Sequence, residues 1–487
     1  MGSGPLSDSP INYRFENTIM EKIILFICFA TFTVTLQGQP KSSLLHGLFS
    51  APTGATVVLR NNGKNDFTTA IKKETGKAFN TNSFNFPAPL PNASTFKITL
   101  AKTPGGQTCS IYSGSEGLMP RDEKKLRIGC DFTYDLVSRT DDGKTSTFYE
   151  SGDAVIGGNN GEEGRYVAFV SSAAGFGGST GKYRQIFWRD RNTGITKLIS
   201  ATPNGEPGNG DCYSPAISGD GKSVAFESHA TNLVNDDKNG IRDIFICRAD
   251  ANTIIKVSRG ANGQEANAES YEPSVSGNGN LIAFTSTASN ISATEKGVSN
   301  NNVFLYDMQL DTTIMISVDP VSKKGGGGSK PSISWDGSRI AFYSHTATLV
   351  SDDNNGLWDI FLWEKNVSKL KRVSLTADGK ERNQGNESAN RIVAPAISGN
   401  GQYIAYSTTA SNMVAEDANA FQDVFVYDIN TEKTVLASKG ADGKPGNADS
   451  PVEQGEKIAI SFDGQWVAFS TTIWRSEERR VGKECRS

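Results

Sequence analysis

One short pattern recurs six times along the chain, and it constrains the fold more than any other feature of the sequence. Each copy joins a polar stretch containing a turn glycine to a short apolar run that ends in an aromatic residue and, within two positions, serine. The turn glycines are separated by 57, 58, 58, 64 and 63 residues. The copies occupy residues 165–171, 214–228, 272–286, 330–344, 394–407 and 457–470. A repeat of this kind indicates structural units that bury their apolar faces by stacking.

A second apolar element follows each of the first five copies, and the aromatic residues of the two elements are 18, 19, 20, 19 and 19 residues apart. A shorter third element then closes the unit, as KLIS does at residues 197–200. The runs are apolar on both alternating faces, with Ile340 and Phe342 on one and Ala341 and Tyr343 on the other. Strands of this kind are typical of a sheet between two neighbouring sheets. Radial stacking of such units predicts a β-propeller, whereas an open β-solenoid would have shorter repeats without hairpins.

Asp-Gly or Asn-Gly occupies the turn of five copies. This dipeptide between two apolar runs is a strong hairpin signal, because a type I′ turn needs positive φ at both central residues. We therefore predict type I′ hairpins at these dipeptides, which lie at residues 220–221, 278–279, 336–337, 400–401 and 463–464.

The repeat core P-x-[IV]-S-x-[DN]-G-x-x-[IV]-A-[FY]-x-[ST] resembles the TolB-like β-propeller repeat and, more distantly, WD-repeat propellers; the first and last copies lack its proline. The resemblance covers residues 134–474. It implies an all-β chain with a six-bladed TolB-like β-propeller whose last blade is truncated. Propellers of this type serve as peptide-docking platforms, sugar-binding modules and enzyme scaffolds, so the fold leaves the function open.

Ring closure is predicted from residues 136–143, which match the closing element of later repeats but have no strands of their own before them. The sixth copy has a hairpin and then stops. We therefore expect residues 136–138 to supply the outer strand of the sixth blade, because a propeller must join its ends. A seventh blade is the alternative.

Residues 39–133 have strand-like runs separated by Gly, Pro and Asn turns, and they resemble a small immunoglobulin-like β-sandwich of bacterial surface proteins. The resemblance makes Cys109 and Cys130 a predicted disulfide between strands, with two unpaired buried thiols as the alternative. Cys212 and Cys247 lie in one repeat, and a bridge between them is left open.

Both ends of the chain depart from this pattern. Residues 20–38 resemble a secretory signal peptide, so residues 1–38 are interpreted as an upstream extension and a signal peptide. Residues 475–487 resemble the translation of a sequencing adapter, and the natural protein is expected to continue differently after Trp474. These features predict an exported protein that is periplasmic, cell-surface or extracellular and has no transmembrane span after signal cleavage.

The charged and nucleophilic residues argue against several functions. Lys and Arg number 49 against 53 Asp and Glu without a basic block, which excludes a nucleic-acid partner. His229 and His345 share a repeat position that is threonine in sister copies, which disfavours catalysis. The GGSTG string at residues 177–181 matches the nucleophile-elbow pattern but no helix follows it. No catalytic residue is predicted.

Acidic loops before the second element suggest a calcium site, because closely spaced carboxylate and amide oxygens are typical calcium ligands. The alternative is Asx-turns that shape the loop without metal. A weaker copy has Asp417, Asn419 and Asp423. The predicted ligands of the two stronger copies are Asn235, Asp237, Asn239, Asp243, Asp353, Asn355 and Asp359.

Aromatic residues of the second element suggest either a sugar-binding surface or packing between blades. Tyr306, Trp363 and Tyr427 share one strand face with Cys247, which favours packing, and Trp188 is predicted to point the other way.

The function predicted from these features is a non-catalytic exported binding or scaffold protein that uses its propeller to dock a protein, a peptide or a glycan. The alternative is the propeller portion of a secreted hydrolase whose catalytic domain lies beyond residue 474.

Overall fold

The computed structural model describes two compact units, Met1–Asp135 and Leu136–Ser487. In the first unit it describes eleven strands and the turn at Asn62 and Gly63. The predicted signal peptide, except Gln37–Gly38, and residues 475–487 lie outside the described residues. In the second unit it describes residues 137–138, 151–158, 164–173, 176, 181–292, 300–383, 393–417, 419, 421–440, 443–446, 448–450 and 457–471.

The first unit contains two four-stranded sheets, ordered β10-β8-β4-β5 and β6-β3-β11-β9, and a smaller sheet, β1-β2-β7. Val57, Leu59, Phe96, Ile98 and Ile128 are buried at alternate positions along β4, β8 and β11. The immunoglobulin-like assignment stays a prediction. The strands are β1 (Gln37–Gly38), β2 (Ser42–Leu44), β3 (His46–Pro52), β4 (Thr56–Asn61), β5 (Lys64–Ala70), β6 (Phe79–Asn85), β7 (Leu90–Pro91), β8 (Thr95–Lys102), β9 (Gln107–Ser113), β10 (Glu116–Leu118) and β11 (Arg127–Phe132).

The cysteines predicted to form a bridge lie on neighbouring antiparallel strands of this unit. Cys109 of β9 and Cys130 of β11 are direct partners in the strand register. Opposed residues of an antiparallel pair have Cβ atoms about 4.5–5.5 Å apart, which is close to the spacing that a disulfide needs. The disulfide itself stays a prediction.

The second unit is the predicted propeller, with five four-stranded antiparallel sheets, each in sequence order, and a two-stranded sixth sheet. We number these blades 1 to 6. Their strands are β12 (Ser151–Gly157), β13 (Tyr166–Ser171), β14 (Gln185–Asp190) and β15 (Thr196–Leu198); β16 (Cys212–Ile217), β17 (Ser223–Ser228), β18 (Asp243–Arg248) and β19 (Thr253–Lys256); β20 (Ser270–Val275), β21 (Leu281–Ser286), β22 (Asn302–Asp307) and β23 (Thr312–Met315); β24 (Ser329–Ile333), β25 (Arg339–Ser344), β26 (Asp359–Glu364) and β27 (Lys369–Arg372); β28 (Ala396–Ile397), β29 (Tyr403–Thr408), β30 (Asp423–Asp428) and β31 (Lys433–Leu436); and β32 (Ala459–Ile460) and β33 (Val467–Ala468).

Alternate residues of each central strand pack against different neighbouring blades. In β18, Phe245 and Cys247 join the apolar cluster shared with blade 1, whereas Ile244 and Ile246 join the cluster shared with blade 3. Phe245 also stacks on Phe226 of the adjacent strand, with ring centroids 5.8 Å apart. Full burial of such a side chain contributes about 1.5–3 kcal/mol. The predicted burial of both faces is confirmed, except that Tyr343 of β25 is only partly buried.

The hairpins join the first and second strands of blades 2 to 6, but the predicted turn type is wrong. Positive φ occurs at the glycine alone, as at Gly221 (φ 73°), and its amide donates to the carbonyl of Ser218 at 2.8 Å. This is the geometry of a type I turn followed by a left-handed glycine. The carboxylate of Asp220 stabilises this turn, because it accepts hydrogen bonds from Ser218 Oγ and the Lys222 amide.

A type I′ pattern does occur in the first unit. Asn62 (φ 49°) and Gly63 (φ 72°), which connect β4 to β5, both have positive φ. The same dipeptide chemistry therefore yields different turns, because the number of residues between the paired strands decides the type.

Backbone hydrogen bonds connect successive hairpins around the axis, running from Gly158 to Gly219 and onward to Phe462. One hairpin position holds glycine at 219, 277 and 399 but carries Trp335 in blade 4 and Phe462 in blade 6. The two rings meet edge to face with centroids 5.4 Å apart. A Cβ at Gly219 or Gly277 would overlap the indole ring. We call Trp335, Phe462 and these glycines the hairpin mouth.

The closing strand is described only in part, since Leu136 lies outside the described residues. Val137 and Ser138 form a bend, and Val137 packs against the cluster of Phe169, Phe176 and Phe187 on blade 1. That cluster lies on the side of blade 1 away from blade 2. The described register pairs β33 with β32 alone, so the predicted strand pairing of residues 136–138 in blade 6 stays a prediction.

Candidate functional site

The predicted calcium loop of blade 2 surrounds a buried lysine. The Lys256 ammonium lies 2.8 Å from Asp243 Oδ2 and 3.2 Å from Asp237 Oδ1, and all three side chains are at most 2% exposed. Burial lowers and the two carboxylates raise the pKa of Lys256, with a net rise, so the ammonium stays charged. Burial raises the pKa of Asp237, and Lys256 offsets part of that rise.

Blade 4 repeats this arrangement with arginine. Arg372 Nη1 lies 2.9 Å from Asp353 Oδ1 and 3.5 Å from Asp359 Oδ2. The half-exposed Glu381 also contacts it at 3.2 Å. In both blades the structure brings the predicted aspartates together, and a basic side chain from the fourth strand lies between them.

The asparagines of the loops make local turns. Asn239 Oδ1 accepts the Ile241 amide at 3.1 Å, and Asn355 Oδ1 accepts the Leu357 amide at 2.7 Å. These are the bonds of Asx-turns. Asn235 is exposed. Among the described residues, no three His, Cys, Asp or Glu side chains are grouped to hold a metal ion. Calcium binding by these two loops stays a prediction.

A cation lies beside an aromatic ring where the first strands of blades 2 and 3 begin. The Arg184 guanidinium lies 5.7 Å from the ring centroid of Tyr213. Arg242 lies 5.8 Å from that of Tyr271. Each arginine directly precedes the third strand of one blade and reaches the first strand of the next. A cation at this distance is attracted by the ring electrons.

Blade 4 extends the series with a larger aromatic group. Lys330 Nζ lies 5.8 Å from the ring centroid of Tyr343. Trp358 packs against Tyr343 at 4.9 Å and against the exposed His345 at 4.6 Å. We define the aromatic face as five aromatic residues of blades 2 to 4 together with the three cations beside them. The aromatic residues are Tyr213, Tyr271, Tyr343, Trp358 and His345, and the cations are Arg184, Arg242 and Lys330.

The buried Glu227 and the partly buried Glu272 fix the backbone behind the aromatic face. Glu227 is 3% exposed and accepts the Glu272 amide at 2.8 Å. Glu272 in turn accepts the Lys330 amide at 3.0 Å. Glu272 (φ 58°) and Lys330 (φ 51°) have left-handed backbone at a register shift of the first strand, which favours glycine and is held here by these bonds. Burial, with the charge of Glu272 and Glu269, raises the pKa of Tyr271 to about 12, so its hydroxyl stays protonated.

The remaining predictions about single residues have clear outcomes. Tyr306, Trp363 and Tyr427 are each 4% exposed inside the clusters between blades, which confirms packing. Trp188 packs on the opposite side, towards blade 2, and its Nε1 donates to the Gly221 carbonyl at 2.7 Å. Ser179 of the GGSTG string lies outside the described residues.

Cys212 and Cys247 are buried free thiols, so the bridge left open between them is not formed. The reason is that β17 lies between their strands: Cys212 is opposite Ser228 and Cys247 is opposite Val224, at the two ends of β17. Burial raises the pKa of both thiols to about 12, which makes them poor nucleophiles.

The sequence did not predict three features: the basic partners of the aspartates, the glutamates behind the aromatic face and the hairpin mouth. One signal was present in the sequence: Trp335 and Phe462 replace a glycine in the aligned turns. The pairing of Asp237 with Lys256 had no local signal, because the two residues are 19 positions apart on different elements.

Comparison with solved structures finds similar chains at low sequence identity. Solved structures similar to this chain include TolB from Acinetobacter baumannii, at 13% identity over 84% of this chain and 80% of that chain, with a TM-score of 0.35. The β-propeller domain of the Trilobed protease from Pyrococcus furiosus is similar at 14% identity over 70% and 86%, with a TM-score of 0.39. Oligogalacturonate lyase from Vibrio parahaemolyticus is similar at 10% identity over 65% and 70%, with a TM-score of 0.39.

No protein-family model and no curated protein sequence matches the chain. The stacked four-stranded sheets define a β-propeller protein. Two of the solved structures similar to this chain carry the name TolB, the type that the repeat resembles. No helix long and apolar enough to cross a bilayer is found in the part of the chain that the structure describes.

Proposed function

We propose that this protein is a non-catalytic binding protein whose aromatic face docks an extended peptide or protein segment. The observation that supports it most directly is the series of cation–ring pairs at Tyr213, Tyr271 and Tyr343. Aromatic and arginine side chains carry much of the energy of protein interfaces. The glutamates behind the face hold these side chains in place before a ligand arrives, which reduces the entropic cost of binding.

A peptide fits this face better than a glycan does. Sugars stack on the open faces of aromatic rings, but a guanidinium or ammonium already covers one face of each of these three tyrosines. Peptide groups and acidic side chains can instead bond to Arg184 and Arg242, which remain solvent-accessible. Protein interfaces combine such polar contacts with aromatic packing.

The experiment is selection of a displayed random-peptide library on the purified full chain, followed by affinity measurement. Tyr271→Ala and Trp358→Ala should each weaken the selected peptides about tenfold or more, as expected for interface anchors. Leu310→Ala is the matched control, since Leu310 is 70% exposed in the turn between β22 and β23. Failure to select any peptide, or equal loss in the control, would contradict the proposal.

The proposal includes export. Residues 20–38 would direct secretion and be removed, so the mature chain should begin near residue 39 when the gene is expressed in a bacterium. The mass of the purified protein tests this. The alternative, the propeller of a secreted hydrolase, predicts hydrolytic activity in a longer natural form; the described residues supply no observation that favours it.

A further inference from the structure

Blade 5 contains the same pair of buried aspartates as blades 2 and 4, but it lacks the basic residue. Lys256 and Arg372 lie opposite Phe245 and Phe361 in the register of the third and fourth strands. The residue at that position of blade 5 is Leu436, opposite Phe425. Pro445 also replaces the glutamate that blades 2 and 4 place at the neighbouring bridge, as at Glu381.

The two aspartates of blade 5 are fully enclosed. Asp417 is 3% exposed and Asp423 is not exposed. Ser438 Oγ donates to Asp423 Oδ1 at 2.5 Å, as the equivalent serines do in blades 2 and 4. Asp423 Oδ2 and both oxygens of Asp417 have no hydrogen-bond partner of normal geometry among the described residues. Three carboxylate oxygens are therefore buried without the cation that occupies this place elsewhere in the ring.

An enclosed pair of this kind is strongly unfavourable unless a positive charge joins it. Burial, together with the charge of Asp423, raises the pKa of Asp417 to about 6, and the Asn419 amide offsets part of the rise. Burial and, as a smaller cause, the charge of Asp449 also raise the pKa of Asp423, and hydrogen bonds from Ser438 and Asn419 offset part of that rise. Among the described residues, no basic side chain forms an ion pair with either carboxylate, because Leu436 lies where blades 2 and 4 have Lys256 and Arg372.

We propose that Asp417 and Asp423 bind a divalent metal cation, Ca²⁺, at the position that the Lys256 ammonium and the Arg372 guanidinium occupy in blades 2 and 4. Carboxylate oxygens are hard ligands that Ca²⁺ prefers, and water completes its shell of six to eight oxygens. A charge of +2 balances two carboxylates, whereas a side-chain cation balances one. The metal thus takes the structural role that a basic residue has in the other two blades.

The test uses the full chain, with calorimetric titration of Ca²⁺ and thermal unfolding in Ca²⁺ or in chelator. Wild type should bind Ca²⁺, and at a hundredfold excess over Kd the unfolding constant should fall about a hundredfold. Leu436→Lys introduces an internal ammonium. It should abolish this binding and raise the unfolding temperature in chelator. Met315→Lys is the matched control, because Met315 lies opposite Phe304 in blade 3, where Asn302 replaces the aspartate; it should leave Ca²⁺ binding unchanged.

Asp417→Asn keeps the assay usable if the lysine variant does not fold. It should lower Ca²⁺ affinity at least tenfold and should stabilise the chelated protein, because it removes one of two like charges. Ca²⁺ binding that persists in both variants would place the ion elsewhere and overturn the proposal. An absence of Ca²⁺ binding, with stability that rises equally in Ca²⁺ and chelator as the pH falls from 7 to 5, would show that a proton neutralises the pair instead.

Discussion

The indole ring of Trp335 occupies the space in which a side chain at Gly277 would lie. The two residues hold the same position in the hairpins of blades 4 and 3, and the Gly277 amide donates to the Trp335 carbonyl at 2.7 Å. The indole of Trp335 therefore fits between the hairpins because the residues at the same position of neighbouring hairpins are glycines, which have no Cβ.

This relationship predicts a strong coupling between the two positions. Gly277→Ala should destabilise the protein by about 1–3 kcal/mol, because a methyl group must enter packed space. Trp335→Ala should cost about 2–4 kcal/mol through lost packing. In the double variant the added cost of Gly277→Ala should fall below about 0.5 kcal/mol. Denaturant unfolding of the four proteins measures the cycle, and additive costs would show that the ring does not fill this space.

The buried ammonium of blade 2 predicts a second outcome. Lys256→Met should cost about 3–5 kcal/mol at pH 8, because it leaves Asp237 and Asp243 buried without their cation. Lys365→Met is the control: Lys365 is 44% exposed and lies 3.7 Å from Asp307, so its loss should cost at most about 1 kcal/mol.

The cost of Lys256→Met should depend on pH. Without the ammonium, the pKa of Asp237 in the folded state rises further above its unfolded value, because Lys256 no longer offsets the effect of burial. Protonation then favours the folded state, so the deficit should shrink as the pH falls from 8 towards 5. Unfolding of wild type and variant across this range checks the sign; a constant deficit would mean that the aspartates are not charged in the folded variant.

Asp190 predicts the opposite pH dependence. Arg165 donates two hydrogen bonds to its carboxylate, at 2.9 and 2.8 Å, and this lowers the pKa of Asp190 from 3.8 to about 2. A lowered pKa contributes stability above about pH 4 that is lost as the pH falls towards 2. Arg165→Gln should therefore cost about 1–2 kcal/mol at pH 7 and almost nothing near pH 2. Unfolding curves of wild type and Arg165→Gln at pH 7, 4 and 2 measure this difference in stability. A difference that persists at pH 2 would contradict the prediction.

The register of β9 and β11 predicts a disulfide between Cys109 and Cys130. Peptide mapping by mass spectrometry without reduction, on protein expressed in an oxidising compartment, should recover the linked pair. Reduction should unfold the first unit before the propeller, because loss of a native bridge in a small domain typically costs about 2–5 kcal/mol. Free thiols at both positions would refute the prediction, and Cys212 and Cys247 serve as internal controls that should remain unlinked.

The six repeats were sufficient to predict the blades, the burial of both faces of their central strands and the packing of Tyr306, Trp363 and Tyr427. These properties follow from local periodicity, which a sequence displays directly. The type of the hairpin turn did not follow, because Asp-Gly is compatible with more than one turn and the pairing of the strands selects between them.

The sequence by itself determined which loops are acidic. It also determined that each of these loops has two aspartates six residues apart, the second of which begins the third strand. Only the tertiary structure decided what balances those charges. Lys256 and Arg372 reach the aspartates because the fourth strand pairs beside the third, and Leu436 in the same register leaves Asp417 and Asp423 without a basic partner. The physical reason is that charge compensation acts through space at a few ångströms, whereas these partners are 13 to 19 residues apart along the chain.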